Sequence, residues 1–491
     1  MTGPAQPPPP PWTRARKLLW PTIGFVLLMS VPPVVALALI SAGVLLRVAR
    51  RAVLEVRARD AEIARRAALG EMITIGRDER GAAVRIPERA LRTHGLILGA
   101  TGAGKSTTLL ALMKDQLSRG RAVVAIDLKG SPAFADSLRT AAEHAGRRFT
   151  LWSPDGSVHW NPLASGNATE LKDKLLGTER FTEPHYRRAA ERYLQLAIQA
   201  GQELAGAEPL TLSQLVALLS PERLAIATRS VTPQRRDHLR EYISSLTPDQ
   251  HSAVRGLASR LAILTESHIG PLLEPSSGRP TVDLHRALRD GEVVLFSLNS
   301  SSYGSLAAML GTLAVQDLVS VSGERLSRGQ GSRPALVAVD EFSALHADNV
   351  LSLLARGREA GIGVLLATQE LADLDRLGRG FRDQVLGNTA LKIAHRQDVP
   401  DSAETVAKLA GTMRVWEESY QHRPGTGRAS GGVARGARLV DRYHVDPERV
   451  RTLGVGEAVV VTKTPHAGTH VARIAPAQLD GRAPAERDTT R

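Results

Sequence analysis

The chain has 491 residues, 43% of them hydrophobic, a net charge of +13 and no cysteine. That length holds two or three domains, and the missing thiols exclude disulfides, cysteine-ligated zinc and thiol catalysis. The basic excess sits at the ends: residues 1–70 hold ten Lys and Arg against three Asp and Glu, residues 421–491 hold twelve against seven, and the stretch between is near neutral, so bulk charge does not make the body a nucleic-acid binder.

Residues 1–17 are a proline-rich head, with an unbroken run from Pro7 to Pro11. Leu18 to Leu46 carries no charge over 29 residues and is flanked by arginines on both sides. It is too long for a signal-peptide core and reads as a membrane anchor. Pro32-Pro33 bends it, giving one kinked span or a shallow hairpin. The C-terminal flank is the more basic, which puts the body in the cytoplasm. Residues 47–70 read as a charged juxtamembrane helix. Residues 72–76 and 83–87 alternate like a small hairpin.

Gly95 to Leu98 then reads as a buried strand that stops at Gly99-Ala100-Thr101-Gly102-Ala103-Gly104-Lys105-Ser106-Thr107. This fits the P-loop pattern GxxxxGK[ST] at every fixed position. Glycines let backbone amides converge on phosphate oxygens, and a helix from Ser106 to Met113 turns its N-terminus toward the same anion. Lys105 is assigned to the β- and γ-phosphates and the Ser106 hydroxyl to Mg²⁺. ATP and Mg²⁺ are therefore the expected cofactors.

Further strands are expected at 122–127, ending in Asp127-Leu128-Lys129-Gly130, and at 149–152, leading into Trp160-Asn161-Pro162-Leu163. Between 166 and 275 helical periodicity replaces strand patterns, which predicts an all-helical insertion. Strands resume at 293–298, 335–339, 363–367, 390–394 and 458–461. This alternation predicts a doubly wound, mainly parallel α/β sheet, in two parts over 71–165 and 276–475. Leu326-Ser327-Arg328-Gly329-Gln330 looks like the ABC-transporter signature but lies too close to Asp340 for that role. Residues 323–334 are read as a surface loop. Gly425 to Gly436 is read as mobile and 476–491 as a disordered tail.

Leu336 to Glu341 has the Walker B form, a buried strand ending in two carboxylates. Asp340 is assigned to Mg²⁺ and Glu341 to activation of the attacking water. Gln369, at the end of the next strand, is assigned to sensing the γ-phosphate or positioning water.

Taken together, these motifs resemble the coupling proteins of conjugative type IV secretion systems (TraD/TraG-like), within the FtsK–HerA superfamily. The resemblance runs over about residues 72–475. It rests on the P-loop after Thr93-His94-Gly95, the Asp127–Gly130 and Trp160–Leu163 stretches, the helical insertion, Val339-Asp340-Glu341-Phe342, and Arg356-Gly357-Arg358-Glu359-Ala360-Gly361 before Gln369. It implies a RecA-like, membrane-anchored hexameric ATPase of the bacterial inner membrane. Such a protein moves DNA, single-stranded and attached to a relaxase, to a secretion channel. It also implies an arginine acting on the neighbouring subunit's nucleotide, Arg358 or else Arg356. A FtsK/HerA-type duplex translocase, a non-hydrolysing cargo receptor and a carrier of protein cargo are the alternatives.

Overall fold

The computed structural model describes residues 71–178, 183–328, 333–422 and 433–475. The head, anchor, juxtamembrane helix and tail expected from the sequence lie outside these residues, as do residues 425–432 of the glycine-rich stretch. The strands are β1 (Met72–Arg77), β2 (Ala83–Pro87), β3 (Gly95–Leu98), β4 (Ala122–Asp127), β5 (Phe149–Trp152), β6 (Val293–Ser297), β7 (Ala335–Asp340), β8 (Ile362–Thr368), β9 (Leu391–Ala394), β10 (Thr412–His422), β11 (Val433–Tyr443), β12 (Glu457–Thr462) and β13 (Gly468–Ile474).

Eleven of them form one sheet in the order β2-β1-β13-β12-β9-β3-β8-β7-β4-β6-β5. From β9 to β5 every pairing is parallel. Strands β12, β13 and β1 extend the sheet in antiparallel fashion. Period-2 alternation divides the central strands between two layers. Ile97, Val123, Leu336 and Leu365 pack with Leu109, Met113 and Leu138 on one face. Leu96, Val124, Val337 and Leu366 pack with Leu310, Leu318 and Leu353 on the other.

Between β5 and β6 the longer elements are the helices Ala168–Leu176, Pro184–Ala205, Leu212–Leu218, Pro221–Ala227, Pro233–Ser244 and Pro248–Glu266. Their starts are written in the sequence. Asn167, Thr211 and Thr247 each close a capping box, and Pro184, Pro221, Pro233 and Pro248 open their helices. Trp160-Asn161-Pro162-Leu163 joins this region to the sheet. The Trp160 ring lies 5.8 Å from Trp152 and 5.0 Å from Phe296. The Asn161 amide donates to the Leu210 carbonyl, and the buried Lys174 ammonium bonds Pro162 O and Asp317.

Two expectations are corrected. The stretch 323–334 is helical as far as Ser327, as the end of the helix Ser300–Ser327. Arg325 secures that end by donating to the carbonyls of Leu288, Arg333 and Ala360. This helix is long and apolar enough by composition to cross a membrane, yet 61% of its most apolar window is buried. It is apolar on most sides because it lies inside the core. Second, Val433–Gly436 belongs to a strand: β11 pairs antiparallel with β10 along its whole length as a separate two-stranded ribbon.

At the start of β3, His94 substitutes for ladder backbone. Its Nδ1 accepts from Val364 N at 3.1 Å and its Nε2 donates to Leu354 O at 2.8 Å. Burial, against the opposing pull of the Leu354 carbonyl, lowers its pKa to about 4, and Arg358 nearby adds to the lowering. The unfolded chain therefore takes up this proton first as pH falls. Stability present above pH 6.5 should be lost as pH falls toward 4, by about 3 kcal/mol for this group. Urea unfolding across that window should show the loss. His94→Gln, which keeps a donor and an acceptor but no titrating proton, should flatten it; a slope equal to wild type would contradict this role.

Candidate active site

The parallel strands end level with one another, so their loops meet along one edge. Leu98 pairs with Thr368 and with Ala394, Asp340 with Ala367, and Asp127 with both Asp340 and Ser297. The P-loop leaves β3 at this edge, Asp340 and Glu341 leave β7, and Gln369 leaves β8, which lies between them.

The P-loop is pinned by backbone bonds. Ala100 N donates to Arg396 O, Ala103 N to Ala100 O, and Gly456 N to Ala103 O. Gly102 and Gly104 have φ of 75° and 122°. A Cβ on Gly104 would stand 3.1 Å from the His395 ring and 3.3 Å from the Gly456 Cα, and one on Gly99 would meet the His395 Cβ at 2.7 Å. Lys105 opens the helix Lys105–Ser118, which starts one residue earlier and runs five residues further than the periodicity predicts. Its buried ammonium curls back to the carbonyls of Gly99 and Ala100. Burial, with Lys129 close by, lowers the Lys105 pKa. Thr101 is exposed and Thr107 half-buried.

Ser106 Oγ donates to Asp340 Oδ2 at 3.4 Å. Glu341 follows in the left-handed region, at φ 59°, a conformation non-glycine residues adopt at a cost. The Gln369 amide nitrogen donates to Glu341 Oε2 at 3.2 Å, and its oxygen accepts from Thr101 Oγ1 at 3.0 Å. One side chain thus joins the phosphate loop to the carboxylate assigned as base. Ser106 and Asp340 are hard oxygen donors. Among the described residues no three His, Cys, Asp or Glu cluster as a metal cage. This set suits Mg²⁺, which keeps several waters and takes few protein ligands beside phosphate oxygens.

Arg356 and Arg358 are exposed and stand before β8, at the opposite edge of the sheet from Gln369. The seven-residue strand separates them from their own P-loop by roughly 20 Å. The chain does not bring them to the site it builds.

Two further residues line the site without being singled out by the sequence. His395 lies under the P-loop. Its Nδ1 donates to Glu457 O at 2.9 Å and its Nε2 accepts from Thr108 Oγ1 at 2.8 Å. Burial is the main cause of its pKa of about 4, with the Glu457 carbonyl opposing and Lys105 assisting, so the ring stays neutral. Lys129 reaches Asp340 Oδ2 at 3.1 Å and Glu341 Oε2 at 3.3 Å. The Asp127–Gly130 stretch was legible only as a resemblance, because its ammonium meets these carboxylates from a different strand.

Two family models match the chain: the central domain of helicase HerA over residues 67–299, and the TraM recognition site of TraD and TraG over 334–454. No curated protein matches it significantly. Among solved structures, the bacterial conjugative coupling protein TrwB in its unbound form shares the fold at TM-score 0.57 and 18% identity, over 84% of this chain and 91% of that one. TrwB has also been solved with ADP and Mg²⁺, and that form aligns at TM-score 0.56 and 19% identity over 84% and 91% of the two chains. VirB4 of Thermoanaerobacter pseudethanolicus aligns at TM-score 0.54 and 15% identity over 83% of this chain and 98% of its own. The resemblance carried by the motifs is borne out.

Gly104→Ala should add about 1–3 kcal/mol of strain to the loop and weaken ADP binding, with the rest of the fold intact. Titration with a fluorescent ADP analogue reads this; wild-type affinity would show that the loop does not need its close contact with His395.

Proposed function

We propose that this chain, a relative of the conjugative coupling and type IV secretion ATPases, hydrolyses ATP to drive DNA toward a secretion channel. The observation that carries the reading is the convergence of Lys105, Ser106, Asp340, Glu341 and Gln369 on one edge of the sheet. Backbone amides from Gly102 to Ser106 take the phosphates, and Lys105 exchanges its carbonyl partners for phosphate oxygens. Ser106 and Asp340 hold Mg²⁺, which supplies charge neutralisation at the phosphates. Glu341 takes the proton of the attacking water. Gln369 orients that water and registers the presence of the γ-phosphate through its bonds to Thr101 and Glu341.

The finer elements belong to the same proposal. Residues 18–46 anchor the protein in the inner membrane of a bacterium, with the body in the cytoplasm. The chain works as a homohexamer on single-stranded DNA with attached relaxase, and residues 166–275, as an insertion, engage DNA or cargo.

The purified full chain, with detergent present, should turn over ATP faster with single-stranded DNA than with duplex or none. Lys105→Ala should abolish turnover. Stimulation by duplex alone would replace this reading with a duplex translocase. ATP binding without turnover under all conditions would replace it with a cargo receptor.

Arg358 is placed in the reaction in trans, with Arg356 as reserve. Charge developing on the γ-phosphate needs a cation beyond Lys105, and Arg358 is exposed and roughly 20 Å from its own loop. An arginine finger is worth about 10³–10⁵ in rate, whereas a surface ion pair contributes at most about 1 kcal/mol of stability. Arg358→Ala should bind ATP near normally and barely hydrolyse it. Mixing it with Lys105→Ala subunits should restore part of the activity. Wild-type turnover in both Arg358→Ala and Arg356→Ala would refute a shared site.

A further inference from the structure

Lys129 bonds both carboxylates at the end of β7, the pair assigned to the metal and to the water. Its Nζ lies 3.1 Å from Asp340 Oδ2 and 3.3 Å from Oδ1, and 3.3 Å from Glu341 Oε2. Oδ2 is also the oxygen bonded to Ser106 Oγ. Asp340 is buried, at 3% exposure, and has little room for two cations.

The placement of Lys129 is built, not incidental. Asp127, also buried, accepts from Lys129 N at 2.9 Å and from Ser131 N at 2.8 Å. Its two oxygens fix the turn that carries the lysine. Gly130 follows at φ 67°, and a Cβ there would stand 2.7 Å from the Asn299 Cα. Asn299 is itself left-handed, at φ 50°. Ser300 N donates to Leu128 O and Leu298 N to Asp127 O. The ends of β4 and β6 are therefore locked together beneath the lysine. A surface lysine paired by chance has no such support.

The charges agree with this arrangement. Lys105 and Lys129 lie among Asp340 and Glu341, with Asp127 beside Asp340 and Asp373 nearer Lys105. Without the lysine, two carboxylates would face incoming phosphates with one cation fewer.

We propose that Lys129 is a built-in competitor of Mg²⁺: in the metal-free protein its ammonium holds the oxygens of Asp340 and Glu341, and the metal arriving with nucleotide expels it. This rests on the nucleotide-site reading above. Two consequences follow. Lys129 lowers the site's affinity for metal, and it keeps metal-free nucleotide binding possible by screening the carboxylates. Once expelled, the ammonium has the phosphate chain as its next anion.

The test compares ADP affinity of the full chain with Mg²⁺ and with EDTA, using a fluorescent ADP analogue, and Mn²⁺ binding by electron paramagnetic resonance. In Lys129→Gln the ADP dissociation constant in EDTA divided by that in Mg²⁺ should rise about tenfold, and Mn²⁺ should bind more tightly, as expected when one partly screened charge is removed at this distance. Lys129→Arg, which keeps the cation, should stay near the wild-type ratio. Asp127 holds the turn through backbone amides, so the substitution leaves those bonds in place; the thermal midpoint without nucleotide checks it. A purely structural lysine would weaken both ADP affinities together and leave their ratio unchanged, which overturns the proposal. A wild-type chain that binds ADP under neither condition would overturn the nucleotide-site reading itself, a separate outcome.

Discussion

The structure depends on the register of three parallel strands. β3, β8 and β7 end level, with Leu98 opposite Thr368 and Ala367 opposite Asp340. Neighbouring strands are about 4.8 Å apart, so the phosphate loop and the acidic pair stand two strand spacings apart. Across that gap Ser106 reaches Asp340 directly, whereas Thr101 and Glu341 are joined by one amide between them. Gln369 supplies it because β8 is the middle strand. A shift of β8 by one residue would turn Gln369 to the other side of the sheet and break both of its bonds.

The second constraint is electrostatic. Carboxylates at the end of a buried strand are expensive unless something pairs them. Here the pairing comes from Lys129, just beyond the end of β4, with Lys105 nearby at the start of its helix. Burial, with Lys129 close by, pushes the Lys105 pKa down, while the two carboxylates outweigh burial and hold that of Lys129 up. The difference follows from their partners. Lys105 bonds carbonyl oxygens, which carry only partial charge, whereas Lys129 bonds carboxylates.

Much of this was legible in the sequence because it is local. A P-loop, a strand ending in Asp-Glu and a strand ending in Gln are short patterns whose chemistry lies within a few residues. Strand positions were legible for a similar reason, since fully buried parallel strands read as continuous apolar runs. The β10–β11 ribbon was not legible: both of its faces meet solvent, Trp416 is 70% exposed, and no polar–apolar alternation survives. His94, Lys129 and His395 were not legible as site or core residues either. Their roles come from partners 260, 211 and 287 residues away, and nothing in the residues beside them announces those partners. The end of the helix Ser300–Ser327 was misread because Arg325 is satisfied by carbonyls from three separate segments.

The crossover from β7 to β8 bears on the proposed sharing of a site between copies. Glu341 lies at its beginning, at the edge that carries the P-loop; Arg356 and Arg358 lie near its end, at the opposite edge. The helix between, Ala347–Gly357, is held near its start by the helical region, where His346 and Asn349 bond the Gly177 carbonyl. Near its end it is held by His94, which bonds the Leu354 carbonyl. Glu341 and the arginines are thus held at two ends of one element and do not meet within a copy. A two-fold interface sets each surface patch against its own equivalent, whereas a head-to-tail interface sets unlike patches together. A phosphate loop and an arginine on different edges can complete one site head to tail, or across a two-fold axis if one patch holds both. Repeated, a head-to-tail contact closes into a ring when its rotation closes and runs on as a filament when it does not, so the proposed ring asks more of the contact than the proposed role of Arg358 does.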